Sequence, residues 1–256
     1  MNNPNIKDGM GTLIVTGASR GIGAAIARLA GQRGYAVAVN FSTNKIEAGK
    51  VVSEIEAGGG RALAIQADVS RENQVISLFQ TAERELGPIK ALVNNAGITG
   101  GCGRVENTTV EALEKTFAVN VTGSILCARE AIRRMSTKRR ANGGSIVNIS
   151  SIATRTGAPG EWVHYSASKG AINTFTIGLA REVATEGIRV NAVAPGLVET
   201  EIHADGEPGR LQRLMPSIPM ARVGQPTEVA EAVLWLLSPA ASYVTGSILE
   251  IGGGRY

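Results

Sequence analysis

Residues 12–25 read Thr12-Leu13-Ile14-Val15-Thr16-Gly17-Ala18-Ser19-Arg20-Gly21-Ile22-Gly23-Ala24-Ala25. A short β-branched, apolar run leads into a glycine-rich turn, and a helical pattern then continues over 22–33. Strand, turn and helix in that order make the first unit of an α/β domain, and the rhythm repeats outward from it. Strand patterns follow at 36–41, 62–66 and 91–94, with helical patterns at 45–57 and 72–86 between them. Farther on, 145–150, 188–194 and 247–251 read as strands, and 110–135, 165–185 and 226–237 as helices. Each strand is short and continuously apolar, as strands buried on both faces of a parallel sheet are. The expected fold is a single doubly wound Rossmann-like domain over 1–256, with about seven parallel strands and helices on both faces. Residues 1–10 are expected to be flexible.

Composition narrows the function classes. The chain has 256 residues and is 43% apolar, enough for one core; 26 Lys+Arg against 22 Asp+Glu leave a net charge of +4, too thinly spread for a nucleic-acid reader. No apolar stretch reaches the length of a bilayer span and the first eleven residues lack a signal-peptide core, so a soluble, cytoplasmic protein is expected, with no membrane partner. The two cysteines, Cys102 and Cys127, have neither disulfide-framework nor zinc-type spacing. His164 and His203 have no ligand-type spacing, and no metal is expected.

In an open parallel sheet, ligands bind beyond the carboxyl ends of the strands. The turn after the first strand, with Gly17, Gly21 and Gly23, offers a tight bend, a backbone without Cβ atoms and the N–H groups of a helix N-terminus, which together suit a dinucleotide pyrophosphate. Its spacing is G-x-x-x-G-x-G rather than the common G-x-G-x-x-G. An ordinary glycine turn is the competing reading. The second strand ends in Val39-Asn40-Phe41-Ser42-Thr43-Asn44, without the carboxylate that would repel a 2′-phosphate. Arg20, Asn40, Ser42 and Lys45 could hold such a group, so NADP(H) is favoured, with NAD(H) possible. Asp68, after the third strand, is placed to meet the adenine.

Tyr165-Ser166-Ala167-Ser168-Lys169 sets a phenol and an ammonium one helical turn apart. A free phenol titrates near 10, and a neighbouring cation favours its ionised form, so Lys169 can tune Tyr165 as a proton shuttle. Upstream, Ser150 and Ser151 end a strand and put a hydroxyl at the ligand-binding edge of the sheet.

With these residues in view, the chain resembles the classical short-chain dehydrogenase/reductase family, and within it sugar dehydrogenases and 3-oxoacyl-carrier-protein reductases. The resemblance rests on motifs in order: Thr16-Gly17-x-x-x-Gly21-x-Gly23, Asn94-Asn95-Ala96-Gly97, Asn120, Ser151, Tyr165-x-x-x-Lys169, Pro195-Gly196 with Thr200, Thr245-Gly246 and Gly252-Gly253. It implies that Tyr165 is the general acid and base, that Ser151 polarises the substrate oxygen, that Lys169 holds the nicotinamide ribose and lowers the Tyr165 pKa, and that Asn120 holds a proton-relaying water. Ser151 precedes Tyr165 by one position more than in many members. A small loop insertion within 158–161, remote from the chemistry, is expected to account for this, and Ser150 remains an alternative to Ser151.

Adding what the resemblance implies to the reading of the turn, the expected cofactor set is Gly17, Ser19, Arg20, Gly21, Ile22, Gly23, Asn40, Ser42, Asp68, Val69, Asn95, Ala96, Gly97, Tyr165, Lys169, Pro195, Gly196, Val198 and Thr200. The implied activity is interconversion of a small carbonyl and an alcohol. The implied assembly is a homotetramer built on the helices near 110–135 and 165–185. The alternative is a catalytically inactive NADPH-binding sensor or scaffold. Residues 198–224 form a long segment expected to cover the substrate, with Trp162, Cys102 and His164 as candidate pocket walls and His203 in a polar loop. The basic run Arg133, Arg134, Lys138, Arg139 and Arg140 reads as a solvated helix end, whose cations complement the dipole.

Overall fold

Alternate residues of a strand face opposite sides of a sheet, and here both sides are apolar. In the computed structural model, which describes residues 10–255, Leu13 and Val15 face one core and Ile14 faces the other. The elements in chain order are β1 (Thr12–Val15), α1 (Gly21–Gln32), β2 (Ala36–Phe41), α2 (Lys45–Ala57), β3 (Arg61–Gln66), α3 (Glu72–Leu86), β4 (Ile89–Asn94), α4 (Val110–Phe117), α5 (Ser124–Met135), β5 (Gly144–Ile149), α6 (Ala153–Thr156), α7 (Val163–Val183), β6 (Ile188–Pro195), α8 (Arg210–Leu214), α9 (Pro226–Leu237) and β7 (Ile248–Ile251). The seven strands form one parallel sheet in the order β3-β2-β1-β4-β5-β6-β7. Helices α1, α2 and α9 close one core against it, and α3, α5 and α7 the other. The strand order reverses between β1 and β4, where this fold opens its ligand crevice. Flexibility was expected for 1–10; of these, 1–9 lie outside the described residues.

The helix expected over 110–135 is divided. Ala118–Gly123 forms a π-helical turn between α4 and α5. Asn120, fully buried, sits in it: its amide donates to Ile98 O and Ser168 Oγ, both at 2.9 Å, and its Oδ1 accepts from Ile98 N at 2.9 Å. The widened turn directs this side chain at the loop after β4 and at α7, a use typical of π-bulges near functional sites. Asn94 donates to Asn148 Oδ1 at 2.9 Å, and Asn148 to Thr176 Oγ1 at 2.9 Å, tying β4 and β5 to α7.

Residues 198–224 are not structureless. They hold two 3-10 turns, Glu201–Asp205 and Met215–Ser217, as well as α8, and a parallel bridge between Val198 and Gly224 joins the two ends of the segment. The basic helix end is partly paired: the buried Glu130 carboxylate meets Arg129, Arg133 and Arg134, and Lys138 pairs with Glu186 at 2.8 Å, while Arg139 and Arg140 are exposed. Among the described residues no helix is long and apolar enough to cross a membrane, and no group of three His, Cys, Asp or Glu side chains is placed to hold a metal ion.

Candidate active site

The glycine turn is held open by its neighbours. Gly17 has φ +61°, and a Cβ there would come within 2.9 Å of Ala96 Cα. A Cβ on Gly23 would come within 2.5 Å of Gly17 O. The backbone of the turn therefore packs on itself and on the loop after β4 at a distance no side chain allows. Thr16 Oγ1 accepts from Asn95 N at 2.9 Å and Ala96 N at 3.0 Å, while the Asn95 amide donates to Thr16 O and Gly17 O at 2.8 and 2.9 Å. No side chain caps α1 at Arg20, which leaves the first N–H groups of this twelve-residue helix facing outward. An uncapped helix start, a cradle that a Cβ would fill and an exposed arginine together fit the diphosphate of a nicotinamide dinucleotide.

Asn40 differs from expectation. Its side chain is 1% exposed and fully engaged: Oδ1 accepts from Gly17 N at 3.2 Å, and the amide donates to Ile65 O at 3.2 Å and Ala67 O at 3.0 Å. It braces the turn against β2 and β3 and offers no group to a 2′-phosphate, whereas Arg20, Ser42 and Lys45 are exposed. Asp68 Oδ1 accepts from the Ser70 backbone and hydroxyl, at 3.0 and 2.7 Å. The Val69 side chain is buried, and a Cβ on Gly123 would come within 2.7 Å of it. Ser19 is half-buried in the turn, and Gly21 (φ +54°) lies beside Thr200.

A cavity of about 430 Å³ opens beyond β1, β4, β5 and β6. Its walls bring together most of the remaining expected residues: Ile22, Asn95 and Gly97 on one side, Pro195, Gly196, Val198 and Thr200 on another, and Ser151, Tyr165 and Lys169 between them. The other member of the loop after β4, Ala96, packs against Gly17. Asn120 lies just behind: a Cβ on Gly97 would sit 3.3 Å from Asn120 Oδ1 and 3.4 Å from Lys169 Nζ. Ser150 is turned into the protein, donating to Asn173 Oδ1 at 2.6 Å, while Ser151 Oγ accepts from Ala153 N at 3.1 Å beside Tyr165.

Electrostatics correct one expectation. Burial pushes the Tyr165 phenol above its ordinary value; the Ser151 hydroxyl and the charge of Arg210 pull it back in part. Lys169 was expected to lower it. Its ammonium donates instead to Ile149 O at 2.6 Å, 5.7 Å from the Tyr165 ring centre, and burial lowers its own pKa to about 8.

The roof was partly missed in the sequence. Arg210, 8% exposed, lies 4.0 Å over the Trp162 ring and donates to Glu161 Oε2 at 2.9 Å and to His203 Nδ1 at 2.8 Å. His203 Nε2 donates to Val198 O at 2.8 Å, so the ring is the neutral Nε2–H tautomer and is stacked on Trp162. Arg213 also pairs with Glu161. Residues 158–161 are thus not remote: Ala158, Pro159 and Glu161 line the cavity, and Glu161 anchors its roof. Of the candidate walls, Trp162 lines the cavity, Cys102 is exposed and near enough to act electrostatically on Arg213 without lining the cavity itself, and His164 is buried toward Gly100, outside it. No spacing rule links Glu161 to Arg210; an arginine-rich segment facing an insertion was the available signal.

Comparison with known proteins agrees with this geometry. The family model described as enoyl-(acyl carrier protein) reductase matches residues 17–255. The oxidoreductase YgfF of Escherichia coli K12 is 53% identical over 247 residues, covering 96% of this chain and all of that protein. A short-chain dehydrogenase from Burkholderia cenocepacia, solved in complex with NADP, superposes with a TM-score of 0.89 at 32% identity, covering 96% of this chain and 98% of that one. A 7α-hydroxysteroid dehydrogenase solved with NADH and 7-oxo glycochenodeoxycholic acid gives the same TM-score and identity, with 100% and 98% covered. The chain belongs to the short-chain dehydrogenase/reductase family and is an oxidoreductase that binds a nicotinamide dinucleotide.

Proposed function

We propose that this oxidoreductase interconverts a ketone or aldehyde and an alcohol using NADP(H), with Tyr165 carrying the proton. The observation that carries the reading is the convergence, on one cavity, of a buried phenol, the Ser151 hydroxyl and the Lys169 ammonium, next to a glycine turn that fits a dinucleotide. Bound there, the nicotinamide would give a hydride to the carbonyl carbon in reduction or take one in oxidation. Gly17, Ser19, Gly21, Ile22, Gly23, Asn95, Ala96 and Gly97 would hold the diphosphate side, Asp68 and Val69 the adenosine side, and Pro195, Gly196, Val198 and Thr200 the nicotinamide side.

In reduction, the Tyr165 hydroxyl donates its proton to the substrate oxygen as negative charge builds there, and the Ser151 hydroxyl donates a hydrogen bond to the same oxygen. A raised phenol pKa keeps Tyr165 protonated at neutral pH, which suits this direction. Lys169, with a pKa near 8, exchanges protons close to neutrality, and the family resemblance gives Asn120, just behind it, the role of holding the water that relays them to solvent. The retained Ser151, Tyr165 and Lys169 favour an enzyme over an inactive sensor.

NADP is bound in one related structure and NADH in the other, so the preference rests on this chain's own residues. Arg20 is exposed without a carboxylate partner among the described residues, and no acid stands at the end of β2. Purified protein assayed with NADPH and NADH against acyl thioesters, diketones, sugars and quinones tests the reading. NADPH selectivity that shrinks at least about tenfold in Arg20→Ala is expected, as for the loss of a charge-assisted phosphate contact. Turnover with NADH alone would overturn it. Self-association as a homotetramer is proposed as well, supported by Val110, Leu113, Phe117 and Ile125 lying exposed on α4 and α5.

A further inference from the structure

The cavity carries more positive charge than the proposed chemistry uses. Lys169 is engaged at the inner end by Ile149 O. At the outer end Arg210, Arg213 and Arg255 line the wall with a single carboxylate, Glu161. Glu161 is shared: Oε2 accepts from Arg210 and Oε1 from Arg213. Glu207 lies close enough to Arg213 for its charge to be felt there, so two acids face the two lid arginines. Arg255 is left over. It follows the Gly252-Gly253-Gly254 turn after β7, and its half-buried guanidinium makes no hydrogen bond or ion pair among the described residues. Both Arg210 and Glu161 act on it electrostatically, and burial together with Arg210 works against its charge. A partly desolvated guanidinium beside a second one is an unfavourable arrangement that an incoming anion would relieve.

Arg210, near enough for its charge to be felt at Arg255, marks how far this end of the cavity lies from the reacting end. Trp162 spans the interval: its ring centre is 6.2 Å from that of Tyr165, and Arg210 lies on its face. The field of Arg210 reaches the phenol. A molecule with its carbonyl at Ser151 and Tyr165 would run past one indole before meeting the arginines. We propose that the substrate carries a carboxylate at the end remote from its reacting carbonyl, and that Arg255 is the residue that selects it, with Arg210 and Arg213 shaping the wall. One guanidinium without an ion pair of its own among the described residues matches one negative charge, which favours a carboxylate over a phosphate dianion.

This inference rests on the carbonyl/alcohol reading, and its test separates the two. Calorimetric titration of NADPH-loaded protein with 4-oxopentanoate, 5-oxohexanoate and 6-oxoheptanoate, each beside its methyl ester, reads the charge preference without turnover. At least one acid is expected to bind about tenfold or more tightly than its ester, the effect of one charge-assisted hydrogen bond, and the preference should fall as salt is raised. Arg255→Met should level acid and ester, and Arg255→Lys should restore part of the difference. Equal binding of acid and ester, no binding of any acid, or a preference unchanged in Arg255→Met would each overturn the proposal. Acids that bind selectively but are never reduced would leave the anion site standing and count against the carbonyl reading. Neutral esters reduced as well as the acids would do the reverse.

Discussion

Lys169 illustrates how a single side chain trades stability for chemistry. Its ammonium loses its proton near pH 8 in the folded chain and near 10.5 when unfolded. Between those values the unfolded state holds more protons, so the contribution of this position to stability rises with pH, and the cost of burying the charge is fully present below about pH 8. Lys169→Met removes that cost and forfeits the bond to Ile149 O. Denaturant unfolding should show the variant more stable by about 2 kcal/mol at pH 7, with the gap closing toward pH 10, and with activity lost. A variant no more stable than the parent at pH 7 would mean that the lysine is not buried as a cation. Tyr165 shows the converse limit of sequence reading: the phenol–lysine spacing was plain, yet the balance between burial and the neighbouring charges is set by residues from Ser151 to Arg210.

At the scale of elements, the strands and most helices follow from periodicity because both cores impose it. The π turn at Ala118–Gly123 escaped because one widened turn barely disturbs a helical pattern over 110–135. The roof escaped for another reason: Glu161, His203 and Arg210 come from distant segments and meet only in the folded chain. Asn40 was read as a 2′-phosphate ligand from its place near the end of β2, whereas the glycine turn folds over it. The roof network gives a direct prediction. Glu161→Gln weakens both arginine anchors, so residues 198–224 should be cut faster in limited proteolysis, and KM should rise about tenfold with a smaller change in kcat. Unchanged proteolysis and KM would show that the lid is held by its backbone bridge and apolar contacts alone.

For the whole molecule, a seven-stranded sheet carries a core on each face. The proposed self-association rests on the exposed apolar side chains of α4 and α5. Phe117→Glu combined with Ile125→Glu, both at exposed positions, is expected to convert the assembly seen by sedimentation velocity to smaller species while the helical circular dichroism persists. A sedimentation coefficient identical to the parent's would remove α4 and α5 from the interface. The central role is that of Tyr165 in passing the proton, with the dinucleotide held mainly by the many other residues of the site. The most direct measurement is therefore Tyr165→Phe assayed twice, by NADPH fluorescence titration and by turnover of the best substrate found in the carbonyl panel. NADPH affinity within about twofold of the parent and turnover reduced by about 10²–10⁴ are predicted, the range for loss of a general acid. Turnover close to the parent's, with binding intact, would contradict the central claim.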